Sequence, residues 1–199
     1  DLVLMEAQNI AEEDIAANKK MGELGAGLIQ DGDTIIHHCN TGSLATVERG
    51  TALGVIKTAH EQGKKVHVLV DETRPKLQGA RLTAWELQQY DITFEVITDN
   101  MAGYFLQTGR ANKVIFGADR IAANGDVVNK IGSYMLACAA FDNAAPVYVV
   151  APVSTVDFTQ LNGSHIPIEE RDPDEVLELQ IKGEQVFPIG IKARNPAFD

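Results

Sequence analysis

Five short apolar runs, at residues 34–38, 65–70, 94–98, 113–116 and 147–150, constrain this chain more than any other feature. Such runs, rich in Val, Ile, Phe and Tyr, suit strands that are covered on both faces, as in a parallel sheet. Segments with helical spacing separate them, at residues 44–62, 80–90, 101–108 and 127–143. Strict alternation of this kind closes compactly as βαβ units with right-handed crossovers. The expected fold class is therefore α/β, a Rossmann-like parallel sheet flanked by helices. Ahead of it, residues 14–29 read as an amphipathic helix with Ile15, Met21, Leu24 and Leu28 near helical spacing, stopped by Asp31-Gly32-Asp33. Residues 1–33 thus form a helical lead-in and residues 34–199 the sheet-bearing domain. Beyond Ala151-Pro152 the pattern loosens into turns such as Asn162-Gly163, Ile166-Pro167, Asp172-Pro173 and Phe187-Pro188, a loop-rich C-terminal extension that wraps the sheet or a partner subunit.

The composition sets the class of partner. With 45% hydrophobic residues the 199-residue chain can bury a substantial core. A net charge of −11 without a basic stripe argues against nucleic acid and anionic membranes, and leaves any anionic substrate to a few local cations. Cys39 and Cys138 make neither a disulfide framework nor a metal-binding spacing, which points to a reducing, cytoplasmic setting. The sequence shows no signal-peptide pattern and no apolar stretch of membrane-spanning length. It opens on Asp1 rather than Met, and is expected to be a fragment of a longer protein.

The chemistry collects where the strands end. His38-Cys39-Asn40-Thr41-Gly42 follows the first strand, Asp71-Glu72-Thr73-Arg74-Pro75 the second, Asp99-Asn100 the third and Gly117-Ala118-Asp119-Arg120 the fourth. In open α/β sheets ligands bind at this edge. Cys39 precedes Gly42-Ser43 and the expected helix at 44–62, so a helix N-terminus would lower its thiol pKa and make it an acid or base; a small buried hydrophobe is the alternative. Asp119, delivered by an apolar strand, is expected to hold its proton near neutrality, or else to cap the next turn or pair with Arg120. Lys130 falls in the expected first turn of the helix at 127–143, where a cation opposes the helix dipole unless an anion binds there. Gln78 and Arg81, at the start of the helix at 80–90, offer an amide and a guanidinium to a phosphate ester, or simply open that helix. His37 and His38 must point to opposite sides if they continue the strand, and His60, His67 and His165 read as surface or packing residues. Trp85 is expected to pack its helix onto the sheet. Gly-x-Gly-x-x-Gly follows none of the strands, so a dinucleotide fingerprint is lacking.

These blocks, together with Gly50-Thr51-Ala52-Leu53-Gly54, Gln78-Gly79-Ala80-Arg81-Leu82-Thr83, Asn124-Gly125-Asp126, Asn129-Lys130-Ile131-Gly132 and Asn195-Pro196-Ala197-Phe198-Asp199, closely resemble the 5-methylthioribose-1-phosphate isomerase family. The resemblance runs from about Ala11 to Asp199. It implies an aldose–ketose isomerase of methionine salvage that needs no metal or organic cofactor. Asp119 would be the general acid and Cys39 the partnering base or charge stabiliser, with the exchange of roles left open. Gln78, Asn129 and Lys130 would hold sugar hydroxyls and phosphate, with Arg81 as a further candidate. It also implies a homodimer and an N-terminal domain, mostly helical, that this sequence does not contain. Two relatives share the superfamily, the regulatory subunits of the translation-initiation guanine nucleotide exchange factor and ribose-1,5-bisphosphate isomerases. A non-catalytic subunit and an isomerase of another sugar 1-phosphate are therefore the competing readings.

Overall fold

The computed structural model describes residues 2–199. Its first elements are helix α1 (Leu2–Ala26), strand β1 (Thr34–His37), helix α2 (Ala52–Glu61), strand β2 (His67–Asp71) and helix α3 (Ala84–Gln89). Strand β3 (Thr93–Ile97), helix α4 (Ala102–Gln107), strand β4 (Lys113–Phe116), the short strands β5 (Arg120–Ala122) and β6 (Val127–Val128), helix α5 (Ser133–Asp142) and strand β7 (Val147–Val149) follow. The five expected strands are β1, β2, β3, β4 and β7. They form one parallel sheet in the order β3-β2-β1-β4-β7.

The apolar runs are unbroken because both faces are covered. Ile35, Val68, Val70 and Ile115 pack with Leu53, Ile56 and Leu87 on one side. Ile36, Leu69, Val114 and Phe116 pack with Leu106 and Leu136 on the other. Strand order runs outward from β1 through β2 to β3, then resumes with β4 on the opposite side of β1. The connections leaving β1 and β4 therefore part in opposite directions, and a crevice opens between their C-terminal ends.

Several helices differ from the sequence expectation, each for a local reason. Helix α1 starts earlier and meets α2 through small residues rather than through its Leu and Met side chains. A Cβ on Gly22 would lie 2.5 Å from the Thr58 hydroxyl oxygen, and one on Gly25 would lie 2.5 Å from a Val55 methyl. This close approach turns Leu24 and Leu28 outward, and both are exposed. The single helix expected at 44–62 is a one-turn 3-10 helix at Ser43–Ala45 and then α2. Between them the chain doubles back at Gly50, whose φ of +83° and 2.3 Å Cβ approach to the Thr41 carbonyl admit only glycine. The helix expected at 127–143 begins at Ser133. Its first part is instead β6, paired antiparallel with β5 across the turn at Gly125, and Gly132 at φ +101° separates it from α5. A π-helical turn, Gly79–Thr83, precedes α3, and Trp85 is half exposed rather than packed on the sheet.

The C-terminal extension packs on the β5–β6 hairpin and the segment that follows it. Strand β8 (Val156–Asp157) pairs with β5, and β-bridges join Lys130 to Phe198 and Glu170 to Pro196. Ala122, Val128 and Ile166 form a small core there against Phe198. Helix α6 (Asp174–Leu177) and the hairpin of β9 (Gln180–Ile181) and β10 (Glu184–Gln185) complete it. Among the described residues no helix is long and apolar enough to cross a membrane.

Candidate active site

The crevice between the ends of β1 and β4 holds a cleft of about 340 Å³, lined by Cys39, Thr41, Asp119, Asn129, Lys130 and Pro152 among others. Four of the six sequence candidates thus meet. Gln78 and Arg81 do not line it. Gln78 stands just before the π-helical turn with a buried amide oxygen that has no partner among the described residues. Arg81 is exposed and donates to the Lys76 carbonyl at 3.4 Å.

Cys39 sits at φ +64°, in the left-handed region that few non-glycine residues adopt. Neighbours hold it there. Its N–H donates to the Thr73 hydroxyl at 2.9 Å, and its carbonyl accepts from the Thr83 hydroxyl at 2.7 Å. Thr73 is itself left-handed at φ +62°, and the Asp99 carboxylate fixes that turn by accepting the Thr73 and Arg74 N–H groups at 2.7 and 2.8 Å. Two strained residues at adjoining strand ends cost on the order of 1–3 kcal/mol each, and such strain clusters at functional sites. Its effect here is to turn the thiol out of the strand and into the cleft lining.

The loop after Cys39 is organised by Glu86, a fully buried carboxylate on α3. It accepts from the Ser43 N–H at 2.7 Å, the Ser43 hydroxyl at 2.6 Å and the Asn40 amide at 2.9 Å. The amides at the start of the 3-10 turn are therefore already taken. This removes the expected helix-terminus help for the thiol. Burial instead pushes the Cys39 thiol up, against the lowering effect of the Asn40 N–H and the Lys130 ammonium, while Asp119 pushes it further up. Cys39 is a thiol, not a thiolate, at neutral pH.

Asp119 lies just beyond β4, its N–H donating to the Val128 carbonyl of the β5–β6 hairpin at 2.9 Å. Burial raises its carboxyl pKa, opposed by Lys130 and Arg171. Arg120 does not neutralise it, because that guanidinium turns to Asp157 at 3.5 Å.

Lys130 is not in a helical turn. It lies in a β-bridge to Phe198, buried, with its ammonium 4.6 Å from the Phe198 ring centroid, and it still lines the cleft. The first amides of α5 are capped by the Asp199 carboxylate, from Gly132 N–H at 2.7 Å and Tyr134 N–H at 3.0 Å. The anion position expected at that helix N-terminus is therefore filled by the chain itself. Any ligand anion would meet the Lys130 side chain and the neighbouring Asn129, whose amide is steadied by Ser133 at 2.8 Å.

Sequence reasoning passed over the two histidines. His37 is fully buried; its Nδ1–H donates to the Ile115 carbonyl at 2.7 Å and its Nε2 accepts from Thr41 at 3.2 Å. Burial lowers its pKa to about 4, so the ring is neutral. His38 lies between the Asp71 carboxylate, 2.8 Å from Nδ1, and the Ile131 carbonyl, 2.9 Å from Nε2. Burial alone would lower its pKa, but the Asp71 contact outweighs it and the pKa is raised. His38, Asp71 and Asp99 present ligand-type atoms within 4.8 Å of one another. Both Asp99 oxygens and both His38 nitrogens are already engaged, and Asp71 Oδ1 is the group's unpaired atom. Cys138, the second thiol, is exposed on α5.

The model of the Initiation factor 2 subunit family matches residues 1–199. The chain belongs to this family. Among its members, the methylthioribose-1-phosphate isomerase of Thermosipho africanus is 57% identical over 194 residues, covering 98% of this chain and 56% of its own length. That of Citrifermentans bemidjiense is 55% identical over 199 residues, covering 100% of this chain and 57% of its own. This chain thus spans a little over half the length of these curated relatives. Two solved structures of the family superpose with a TM-score of 0.93 over the whole chain. One is translation initiation factor eIF-2B, subunit delta, from A. fulgidus, at 47% identity and 57% of that chain. The other is 5-methylthioribose 1-phosphate isomerase from Pyrococcus horikoshii, at 46% identity and 55% of that chain.

Proposed function

We propose that this chain carries the catalytic cleft of an aldose–ketose isomerase that converts 5-methylthioribose 1-phosphate to 5-methylthioribulose 1-phosphate in methionine salvage. The observation that carries the reading is the meeting of a half-buried thiol, a carboxylate open to the cleft and a buried lysine at the switch point of the sheet. The near full-length similarity to proteins named for this reaction supports it.

The anomeric oxygen of the substrate is esterified, so its ring cannot open as a free hemiacetal does. Opening needs a proton delivered to the ring oxygen as the C1–O bond breaks. The C2 hydrogen must then reach C1, by proton abstraction and return or as hydride, while the C2 hydroxyl loses its proton and becomes the ketone. On the hydride route one proton is given to the ring oxygen and one is taken from the C2 hydroxyl; on the proton route the base also carries the C2 proton to C1, so one acid and one base suffice for either. Cys39 holds its proton in the resting cleft and is read as the donor. Asp119, a carboxylate made more basic by burial, is read as the acceptor. Lys130 and Asn129 hold the phosphate and hydroxyls, and Gln78 and Arg81 remain candidate contacts from the β2–α3 connection.

Two free cysteines suit a cytoplasmic enzyme. The open edge at β7, with Val149, Tyr134 and Phe141 exposed around it, suits a homodimer. The likeness to an initiation-factor subunit keeps a second reading alive, a regulatory subunit that binds a sugar phosphate without turnover. Incubation with a panel of sugar 1-phosphates, including ribose 1,5-bisphosphate, and detection of a ketose by NMR separates the readings. A ketose from 5-methylthioribose 1-phosphate alone is the expected result; binding without any ketose would establish the regulatory reading.

A further inference from the structure

The loop that carries Asn129 and Lys130 is joined to the Cys39 strand end by one buried side chain. His38 Nε2–H donates to the Ile131 carbonyl at 2.9 Å, while Nδ1 is held by Asp71 at 2.8 Å. The ring is 1% exposed, and a Cβ on Gly132 would come within 3.0 Å of its Cε1, so the 131–132 backbone rests directly against it. Asp71 in turn ends β2, next to the Thr73 turn that fixes Cys39.

We propose that His38, oriented by Asp71, is a positioning residue that tethers the 129–132 segment to the end of β1 and so sets where Lys130 and Asn129 stand relative to Cys39. His38 does not line the cleft, and its effect on a ligand passes through Ile131. Other restraints on this segment come from the C-terminal extension, through Asp199, Ala197 and Phe198, and from the first turn of α5, through Ser133 and Leu136. His38 is the side chain that ties it to the end of β1, while the Asp119 carboxylate, just beyond β4, meets the Lys130 N–H. This inference rests on the isomerase reading for its kinetic consequence, but the tether is a statement about the fold.

The two ring nitrogens can be replaced separately, because an Asn amide nitrogen stands near the Nδ1 position and a Gln amide nitrogen near Nε2. His38→Asn keeps the Asp71 partner and loses Ile131. His38→Gln keeps Ile131 and leaves the Asp71 carboxyl without its partner. If His38 served burial and stability alone, His38→Gln would be the more damaging in every assay, because an unpartnered buried carboxyl costs more than an unpartnered carbonyl. The tether predicts the opposite order for substrate: in the whole protein His38→Asn raises KM on the order of tenfold with kcat changed less than about threefold, whereas His38→Gln melts lower yet keeps KM near wild type. Amide hydrogen exchange provides the readout that does not depend on turnover. The segment 129–133 should exchange faster in His38→Asn than in His38→Gln. Equal exchange in the two variants, or a KM order that follows their melting temperatures, would overturn the proposal. A wild type with no isomerase activity would overturn the proposed reaction instead, and exchange would still decide the tether.

Discussion

At the residue scale the two central groups are both biased toward holding protons, by the same burial. Their roles follow from where each starts: a thiol raised above its ordinary range is protonated at neutral pH, and a carboxyl raised from 3.8 becomes a better base when ionised. Activity should fall as pH drops through the Asp119 pKa, and fall again as pH climbs through that of Cys39. Cys39→Ser and Asp119→Asn should each lower kcat by about three orders of magnitude or more with circular dichroism unchanged. The residual rate of Cys39→Ser should lack the alkaline fall, since a serine hydroxyl does not ionise there. Rates within a few-fold of wild type for either variant would remove that residue from the chemistry. His37 gives a second pH effect, on stability. Its folded pKa of about 4 lies below the ordinary value of 6.5, so between these pH values the unfolded chain binds a proton that the folded chain does not. Stability from this group is therefore complete above about pH 6.5 and declines as pH falls toward 4, by roughly 3 kcal/mol. His37→Asn, which keeps a donor toward Ile115 but cannot ionise, should show a flatter dependence of urea midpoint on pH over that range. Asp71, raised to about 6, works in the opposite direction and is common to both proteins, so the difference between them isolates His37.

At the scale of elements, the strands were legible in the sequence and the helix starts were not. Runs such as Lys113–Phe116 report burial on both faces, which residue type encodes directly. The start of α5 depends instead on Gly132 at φ +101° and on Asp199, a residue 67 positions along the chain whose carboxylate caps it. No local pattern carries that contact. The same limit explains the site: Cys39 and Asp119 were readable because each follows an apolar strand, whereas Lys130 was singled out from a helical turn that the structure replaces with β6 and a β-bridge, and Asn129 through the family resemblance alone. His38 and Glu86 were missed because their partners, Asp71 with Ile131 and Ser43 with Asn40, lie in other elements. The Asp199 cap makes a prediction at this scale. Asp199→Ala should lower stability by about 1 kcal/mol, as loss of a helix cap does. It should also weaken inorganic phosphate binding, because the same carboxylate restrains the turn next to Lys130. Lys130→Ala should weaken phosphate binding without the loss of stability from α5, read by calorimetric titration beside thermal melting. Wild-type phosphate affinity in Lys130→Ala would place the anion elsewhere in the cleft.

At the scale of the whole molecule the difficulty is charge. The chain carries −11, and a sugar phosphate brings about two more negative charges at neutral pH. Among the described residues lining the cleft, Lys130 is the cation. Asp119 and the neighbouring Asp14 stand in the same lining and work against a dianion. The curated relatives extend well beyond the aligned region, which is 56% of the Thermosipho africanus isomerase. Binding groups far from the reacting carbons still set the rate, since they hold the ester in register for the acid and base. Residues 1–199 expressed alone should therefore fold but isomerise 5-methylthioribose 1-phosphate with a kcat/KM on the order of a hundredfold or more below that of the full-length Thermosipho africanus enzyme. Raising ionic strength should narrow this gap at the level of KM, because screening weakens the repulsion between the acidic chain and its substrate. Phosphorus NMR of the ketose product measures both. Equal catalytic efficiency would mean that Lys130, Asn129 and the neutral groups of the cleft suffice to hold the ester. The acidic field of the molecule would then be screened locally by the very loop that His38 and Asp199 hold in place.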